Sequence, residues 1–143
     1  MNKKPLNFAS RIIDTTLRDG EQGVGIAFNI NDKMRMLKAL VDVGVREIEV
    51  GIPAMGKRER SDIEALCLLG FPVALQTWCR AKKEDVEMAM DLPVSGIHIS
   101  FPVSEEHMSI WGMGRLEVLH LLEELLTLAK RSKKKISVGA QDA

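Results

Sequence analysis

The sequence predicts a parallel α/β fold of the (β/α)8 type, a TIM barrel that is truncated after about strand five. Three observations predict this fold. Short strand-like segments alternate with helical patterns, which implies a parallel sheet covered by helices. Some strand-to-helix connections are long, whereas most helix-to-strand connections are brief, as in barrels that carry function on the strand carboxyl side. Within the strands, polar residues alternate with apolar ones, which indicates one polar face.

The alternating segments fill the chain from end to end. Strands are predicted at Ile12–Leu17, Glu47–Val50, Val73–Trp78, Gly96–Ser100 and Ile136–Ala140. Apolar residues at helical spacing predict helices over Asp32–Val43, Lys57–Leu69, Lys82–Met90 and Arg115–Arg131, the first with Asn31 as N-cap and Gly44 just beyond its end. We expect residues 1–10 to form an amino-terminal tail and residues 11–143 to be the amino-terminal part of a TIM-barrel catalytic domain. Because such a barrel closes with eight strands in about 250 residues, we expect a fragment or one part of a split enzyme.

Alternation inside the strands separates an apolar face from a polar one. Crossover helices should cover the apolar face, for example Ile48 and Val50 in the second strand. The polar residues of the other parity should point into a shared interior: Asp14, Thr16, Arg18, Glu47, Glu49, Gln76, Arg80, His98, Ser100, Ser137 and Gln141. A flavodoxin-like open sheet, which has helices on both faces, is the alternative and should carry fewer such residues.

The composition argues against several classes of partner. The 143 residues include 20 basic and 20 acidic side chains, so the formal net charge is zero and a nucleic-acid partner is not expected. The sequence has no run of about 18 apolar residues, so no membrane span is predicted. Its first ten residues lack the apolar region of a secretory signal. Cys67 and Cys79 form no disulfide framework, which favours a cytoplasmic location.

The segment 14–22 (DTTLRDGEQ) holds the densest group of chemically useful side chains. It leaves the first strand and enters a turn at Asp19 and Gly20. Arg18 offers a rigid, permanently charged fork for a carboxylate or a developing enolate oxygen. Asp19 offers oxygen ligands for Mg²⁺ or Mn²⁺, and Gln22 offers a neutral hydrogen bond. The same residues also fit a structural Arg–Asp pair that fastens a loop.

This segment resembles the signature of the metal-dependent acyltransferases and lyases built on (β/α)8 barrels. That superfamily includes the homocitrate, isopropylmalate and citramalate synthases and hydroxymethylglutaryl-CoA lyase. Further segments make the chain similar to the homocitrate synthases of the nitrogen-fixation type, across essentially its entire length: 25–28 (GIAF), 47–56 (EIEVGIPAMG), 78–80 (WCR), 100–104 (SFPVS) and 138–143 (VGAQDA).

The resemblance implies an activity and a set of site residues. The reaction would condense acetyl-CoA with 2-oxoglutarate to homocitrate, the organic ligand of the nitrogenase iron–molybdenum cofactor. Asp19 would ligate a divalent metal, Mg²⁺ or Mn²⁺, and Arg18 would stabilise charge on the ketone or enolate oxygen. Gln22 and Glu49 would line the substrate pocket, with Arg80 as a further substrate-binding candidate. For the full-length enzyme the resemblance implies a homodimer, or a carboxyl-terminal partner chain if the enzyme is split.

Two alternatives stay open beside that activity. One is a related synthase, for isopropylmalate or citramalate, that uses another 2-oxo acid, because the choice of acceptor depends on a few pocket contacts. The other is a non-catalytic partial-barrel subunit that needs a partner chain, because an incomplete sheet exposes unpaired edges.

Two departures from the family pattern affect the expected site. The family usually carries Glu where this chain has Gln141, and Gln removes a charge and a proton acceptor. The family's other metal ligands come from a His-x-His pair on a later strand, and this sequence has no such pair. His98, His107 and His120 are too far apart along the chain to replace it convincingly. We therefore expect the chain by itself to be inactive.

Overall fold

The computed structural model describes residues 12–143 and contains a five-stranded parallel sheet. The strands are β1 (Ile13–Asp14), β2 (Glu47–Glu49), β3 (Ala74–Arg80), β4 (Gly96–Pro102) and β5 (Lys135–Gln141), paired in sequence order. The helices are α1 (Ile30–Asp42), α2 (Lys57–Leu68), α3 (Lys83–Asp91), α4 (Glu105–Ile110) and α5 (Arg115–Lys130). The predicted alternation of strands and helices is confirmed. The predicted tail, residues 1–10, lies outside the described residues.

The register of the sheet gathers polar residues on one face. In a parallel sheet, paired residues of neighbouring strands point to the same side. The pairs on this side are Glu49 with Gln76, Trp78 with His98, Arg80 with Ser100, His98 with Ser137, and Ser100 with Gly139. We call this side the polar face, and its prediction is confirmed for β2 to β5.

The polar face is concave. Lys135 of β5 donates to Glu47 of β2, with 2.7 Å between Nζ and Oε2. Two strands lie between these partners, so a flat sheet would hold their backbones about 14 Å apart. A direct ion pair across that span is expected when the sheet curls toward its polar side, as in part of a barrel. Glu47, which the sequence analysis treats as structural, therefore joins distant strands.

The opposite face packs against helices in two adjoining clusters. Ile48 of β2 is fully buried in a cluster with Leu37 of α1 and Ile63 of α2. Ile99 of β4 is fully buried in a second cluster with Leu125 of α5. Burial of each such side chain contributes about 1.5–3 kcal/mol. The helices thus cover the apolar face, and none of the helices within residues 12–143 is both long and apolar enough to cross a membrane.

The first strand is shorter than the predicted Ile12–Leu17. It ends at Asp14, whose carboxylate accepts a hydrogen bond from the Thr16 backbone N–H at 2.9 Å. The Thr15 carbonyl then accepts from the Arg18 N–H at 3.0 Å. The Asp14 side chain and the Thr15 carbonyl therefore close a turn where the alternating pattern predicts a continued strand.

The two residues of β1 also lie on faces opposite to those predicted. Ile13 pairs with Glu47, so Ile13 lies on the polar side, and Asp14 pairs with Ile48 of the apolar side. The predicted faces of Ile13 and Asp14 are therefore wrong. Leu17 is nevertheless fully buried in the apolar core, because the turn redirects the chain after Asp14.

The start of α1 differs from the prediction by two residues. The N-cap is Asn29 rather than Asn31, since the Asn29 side chain accepts from the Asp32 N–H at 3.1 Å and the Asp32 carboxylate accepts from the Asn29 N–H at 3.2 Å. This reciprocal capping box satisfies two N–H groups at the helix start. Gly44 follows the helix with φ of +94°, as predicted for the residue beyond its end.

The long connection 101–114 contains the short helix α4, which is not among the predicted helices. Ser104 caps this helix, because its hydroxyl accepts from the His107 N–H at 3.1 Å. Six residues are too few for an apolar period to show in the sequence. The observed bounds of α2, α3 and α5 agree with their predicted bounds to within one residue.

Neither cysteine takes part in a disulfide. Cys79 lies on the apolar side of β3, where burial raises the pKa of its thiol to about 12. Burial also raises the pKa of Cys67. Both thiols therefore remain protonated and poorly nucleophilic at neutral pH.

Candidate functional site

An ion pair between Arg18 and Glu49 joins the exits of β1 and β2. Glu49 Oε2 accepts from Arg18 Nε at 2.9 Å and lies 2.7 Å from Arg18 Nη2. The side chains are 17% and 5% exposed, respectively. Gln76 of β3 donates to the other carboxylate oxygen, Glu49 Oε1, at 3.3 Å. Glu49 is thus held on both oxygens, and two residues expected to share the polar interior, Arg18 and Glu49, are brought together.

Asp19 extends this pair toward solvent. Arg18 Nη1 donates to Asp19 Oδ1 at 2.8 Å, and the Asp19 side chain is 60% exposed. Arg18 therefore bridges one buried and one accessible carboxylate. The structure places Arg18, Asp19 and Glu49 in one group, as their positions at strand ends predict.

Trp78 supports the guanidinium from the polar face of β3. The Arg18 Cζ atom lies 5.7 Å from the centroid of the Trp78 ring, within the range of a cation–π contact. Trp78 is not among the site residues that the sequence predicts. Its signal is parity, because Trp78 stands two positions after Gln76 on the same strand. The ring and Glu49 together restrict the orientation of the guanidinium.

His98 occupies the polar face of β4, next to Trp78 in the register. Its Nδ1 lies 2.9 Å from the Ser137 hydroxyl of β5. Burial holds the pKa of His98 below its usual value; Glu49 opposes this shift and Arg18 reinforces it. The imidazole is therefore neutral at neutral pH, with one ring nitrogen as donor and the other as acceptor.

Gly139 of β5 makes room for this imidazole. A Cβ atom on Gly139 would lie 2.6 Å from His98 Nε2, which is too close for an ordinary contact. The absence of a side chain at position 139 therefore allows His98 to lie against β5.

Two predicted site residues, both within residues 12–143, make no hydrogen bond or ion pair with Arg18 or Glu49. Gln22 is exposed in a 3-10 turn, and its side chain makes no hydrogen bond to any residue within 12–143. Arg80 donates from Nε and Nη2 to the Asp85 carboxylate, at 2.8 and 3.0 Å. Arg80 therefore ties the end of β3 to the start of α3. Substrate binding by Gln22 and Arg80 stays a prediction.

The described residues do not form a complete metal centre. Asp19 offers an accessible carboxylate, and Arg18 already occupies one of its oxygens. Across residues 12–143, no group of three or more His, Cys, Asp or Glu side chains is arranged to hold a metal ion. Mg²⁺ and Mn²⁺ require several oxygen or nitrogen ligands at once. Within this part of the chain Asp19 supplies one predicted ligand, and metal binding by Asp19 stays a prediction.

The group presents a fixed cation at the carboxyl edge of a concave sheet. Of the five N–H donors of a guanidinium, Arg18 directs one at Asp19 and two at Glu49, which leaves two for a ligand. Because Glu49 and Trp78 fix the guanidinium beforehand, little reorganisation is needed when an anionic oxygen arrives. The arrangement therefore suits a carboxylate or an oxygen on which negative charge develops.

Comparison with known proteins identifies relatives that share this segment. Homocitrate synthase subunit alpha from Clostridium pasteurianum is 43% identical over 94 residues, which cover 66% of this chain and 35% of the relative. 2-Isopropylmalate synthase 2 from Caldanaerobacter subterraneus subsp. tengcongensis is 36% identical over 133 residues, 92% of this chain and 35% of the relative. Homocitrate synthase 1 from Nostoc sp. is 36% identical over 144 aligned residues, 100% of this chain and 37% of the relative. The chain thus spans little more than a third of the length of each.

Solved structures share the fold. Hydroxymethylglutaryl-CoA lyase from Pseudomonas aeruginosa superposes with a TM-score of 0.69 at 18% identity, covering 90% of this chain and 44% of the lyase chain. HMG-CoA lyase from Bacillus subtilis gives 0.67 at 17% identity, covering 88% and 44%. At these identities the likeness shows the fold, a half-barrel of the TIM type. A family model described as HMGL-like matches residues 9–143, and the chain therefore belongs to the HMGL-like family.

Proposed function

We propose that this chain forms the first five strands of the catalytic barrel of an acyltransferase that condenses acetyl-CoA with 2-oxoglutarate to homocitrate. The observation that carries the proposal is the meeting of Arg18, Asp19 and Glu49 at the carboxyl edge of the curled sheet. The Nostoc homocitrate synthase aligns over the whole chain, this segment included. We further propose that the product serves the nitrogenase iron–molybdenum cofactor.

Arg18 would bind the acceptor and stabilise charge during carbon–carbon bond formation. A 2-oxo acid carries a carboxylate beside its ketone, and the two remaining N–H groups of Arg18 match such oxygens. When the acetyl carbon attacks the ketone, negative charge grows on the ketone oxygen, and a cation already in place stabilises that charge. Glu49 would act by holding the guanidinium, through Nε and Nη2, in the orientation that this task requires.

The polar face favours 2-oxoglutarate over a branched acceptor. Beside the Arg18 pair it carries Gln76, His98, Ser100 and Ser137. Gln76 uses one N–H on Glu49 and keeps a second, which suits the second carboxylate of 2-oxoglutarate, whereas the hydrocarbon branch of 2-oxoisovalerate offers it no acceptor. A relative named 2-isopropylmalate synthase keeps the branched acceptor as the alternative, and pyruvate would be the acceptor of a citramalate synthase.

A divalent cation and an assembly belong to the same proposal. Asp19 would be one ligand of Mg²⁺ or Mn²⁺, with its companions outside residues 12–143. The Clostridium relative is named subunit alpha, which supports a second candidate, a partial-barrel subunit completed by a partner chain. A homodimer of the complete enzyme and a cytoplasmic location also remain predictions, the latter supported by the two free cysteines.

The proposal is tested by thiol release from acetyl-CoA with 2-oxoglutarate, 2-oxoisovalerate or pyruvate in the presence of Mn²⁺. The chain is assayed by itself and in place of the matching residues of the Nostoc homocitrate synthase 1. We expect no turnover from the chain by itself, and turnover from the chimera with 2-oxoglutarate preferred. Arg18→Gln should lower this turnover by a factor of about 100–1,000, whereas Arg46→Gln, on an exposed arginine before β2, should leave it unchanged. A chimera that prefers 2-oxoisovalerate, or that tolerates Arg18→Gln, would contradict the proposal.

A further inference from the structure

A buried lysine on α1 lies among three carboxylates. Lys33 is 1% exposed, and its Nζ lies 2.9 Å from Glu21, 2.8 Å from Glu59 and 3.7 Å from Asp62. We call these four residues the Lys33 cluster. An ammonium without partners at this depth would cost several kcal/mol. Burial by itself lowers the pKa of Lys33, but the hydrogen bonds that its ammonium donates to Glu59 and Glu21 outweigh that effect, and the pKa lies above its usual value.

The Lys33 cluster touches the backbone beyond both strands of the candidate site. Glu21 stands two residues after Asp19, in the 3-10 turn that follows β1. Glu59 accepts with its other oxygen, Oε1, from the Ile52 N–H at 3.2 Å. Ile52 follows Glu49 by three residues, just beyond β2. One ammonium therefore connects the segment that carries Arg18 and Asp19 to the segment that follows Glu49.

Gly51 allows the Glu59 carboxylate to reach this position. A Cβ atom on Gly51 would overlap Glu59 Oε1, and the backbone there has φ of +155°, which L side chains rarely adopt. Any other residue would push the carboxylate away from Ile52. The path from Lys33 to the exit of β2 therefore depends on a glycine.

We infer that Lys33 is a positioning residue that sets the separation of the two strand exits and thereby holds Arg18 against Glu49 and over Trp78. The helix α1 is itself held in place, because Leu37, one turn after Lys33, is fully buried in the core. Lys33 itself touches neither the acceptor nor the reacting atoms. The inference rests on the proposed function only for the task given to Arg18.

Trp78 provides a signal for the placement of Arg18 that does not require turnover. The chain has two tryptophans and no tyrosine, so Trp111→Phe leaves Trp78 as the one strong fluorophore. Arg18 lies over that ring. Its emission and its quenching by acrylamide should therefore change when the guanidinium leaves. A cluster that merely stabilises the fold would lower the urea midpoint but leave these signals unchanged in folded protein.

The experiment compares variants in the Trp111→Phe background, with Arg18→Ala as the reference for a displaced guanidinium. We expect Lys33→Met to move the emission most of the way toward the Arg18→Ala value, and Lys33→Arg to restore much of the parent signal. Lys38→Met is the matched control on the same helix, because Lys38 is 63% exposed and pairs only with Asp42 within the described residues. Its emission should equal the parent emission.

The NMR signal of the Arg18 Nε–H proton provides a second readout that does not depend on fluorescence. The Arg18 Nε–H proton, which is donated to Glu49, should shift in the NMR spectrum of Lys33→Met. If Lys33→Met does not fold, Glu21→Gln gives the same test on a side chain that is 23% exposed. A folded variant with the parent Arg18 Nε–H shift would overturn the inference. Because neither readout uses catalysis, that failure would leave the proposed function standing, and an inactive enzyme would leave the positioning role standing.

Discussion

Arg18, in the turn after β1, and Arg80, at the end of β3, each pair with a buried carboxylate, but their surroundings differ. Arg18 reaches Glu49, which is 31 residues away, and its side chain is 17% exposed. Arg80 reaches Asp85, five residues away, and its side chain is 46% exposed. A pair between the exits of two strands gathers charge at the edge of the concave face, whereas a local pair fastens a strand end to the next helix. The partner of Arg18 thus comes from a neighbouring strand, whereas the partner of Arg80 comes from the helix that follows it.

The two buried carboxylates also depend on their arginines to different degrees. Asp85 lies in the first turn of α3, where the positive end of the helix dipole stabilises a carboxylate. Glu49 lies on a strand and has Gln76 as its other donor. Loss of Arg18 should therefore destabilise the buried Glu49 carboxylate more than loss of Arg80 destabilises the Asp85 carboxylate.

The largest expected effect is on stability. Arg18→Ala should lower the free energy of unfolding by about 3 kcal/mol, because it leaves Glu49 buried without its cation. Arg80→Ala should cost about 1 kcal/mol, because the lost partner is half exposed. Urea unfolding followed by circular dichroism measures both. Equal losses would show that the two pairs are equivalent.

A smaller difference is expected between two glycines with positive φ. Gly51→Ala, two residues after Glu49, should lower the free energy of unfolding by about 2–3 kcal/mol, because backbone strain adds to the overlap with Glu59. Gly112→Ala, in the connection after α4, has φ of +65° and open space, so it should cost about 1 kcal/mol from strain. Thermal unfolding of both variants provides the comparison. A Gly112→Ala loss as large as that of Gly51→Ala would argue against a close approach of Glu59.

The smallest expected effect is on the titration of His98. Arg18→Gln should raise the pKa of His98 and Glu49→Gln should lower it, since the cation opposes protonation and the carboxylate favours it. Arg80→Gln should leave it unchanged. The His98 ring proton shift, followed by NMR against pH, reports all three. Movement of the pKa in Arg80→Gln similar to that in Arg18→Gln would remove the distinction between the pairs.

His98 also adds a pH dependence to stability, and its sign follows from the direction of the shift. The pKa in the folded chain lies below the ordinary value of 6.5, so the unfolded chain takes up the proton first. The stability from neutral His98 is therefore complete above about pH 6.5 and is lost as the pH falls toward the folded pKa. His98→Gln should remove this part of the pH dependence in urea unfolding. An unchanged dependence between about pH 7 and 5 would contradict the assignment.

The sequence predicts the layers and the polar side that holds Glu49 because both follow from local rules, whereas the pairing of Arg18 with Glu49 is seen only in the structure. Alternation along the strands places Glu49 on the polar face, and the turn after β1 brings Arg18 to the same edge. The sequence also contains a signal for Asn29 as the N-cap of α1, because Asp32 stands three residues after Asn29 and completes a capping box. Asn31 lacks a residue of that kind at the same spacing.

Other parts depend on tertiary contacts that no local pattern contains. The Lys33 cluster joins residues from α1, α2 and the turn after β1, and its one local signal is a lysine four positions before the buried Leu37. The contact of Arg18 with Trp78 depends on the turn, whose geometry the strand pattern of residues 12–17 conceals. The predicted face of Ile13 is wrong for a similar reason, because the alternating pattern does not show that β1 ends at Asp14.

The most direct test of the central claim, that Arg18 is the cation of the site, compares two arginine variants in the Nostoc chimera. With 2-oxoglutarate and acetyl-CoA as substrates, Arg18→Gln should lower kcat/KM by a factor of about 100–1,000, the usual cost of losing one fixed charge donor. Arg80→Gln should lower it by less than about tenfold, the loss expected for a contact that acts on folding rather than on the transition state. The opposite order, with Arg80 essential and Arg18 dispensable, would contradict the assignment.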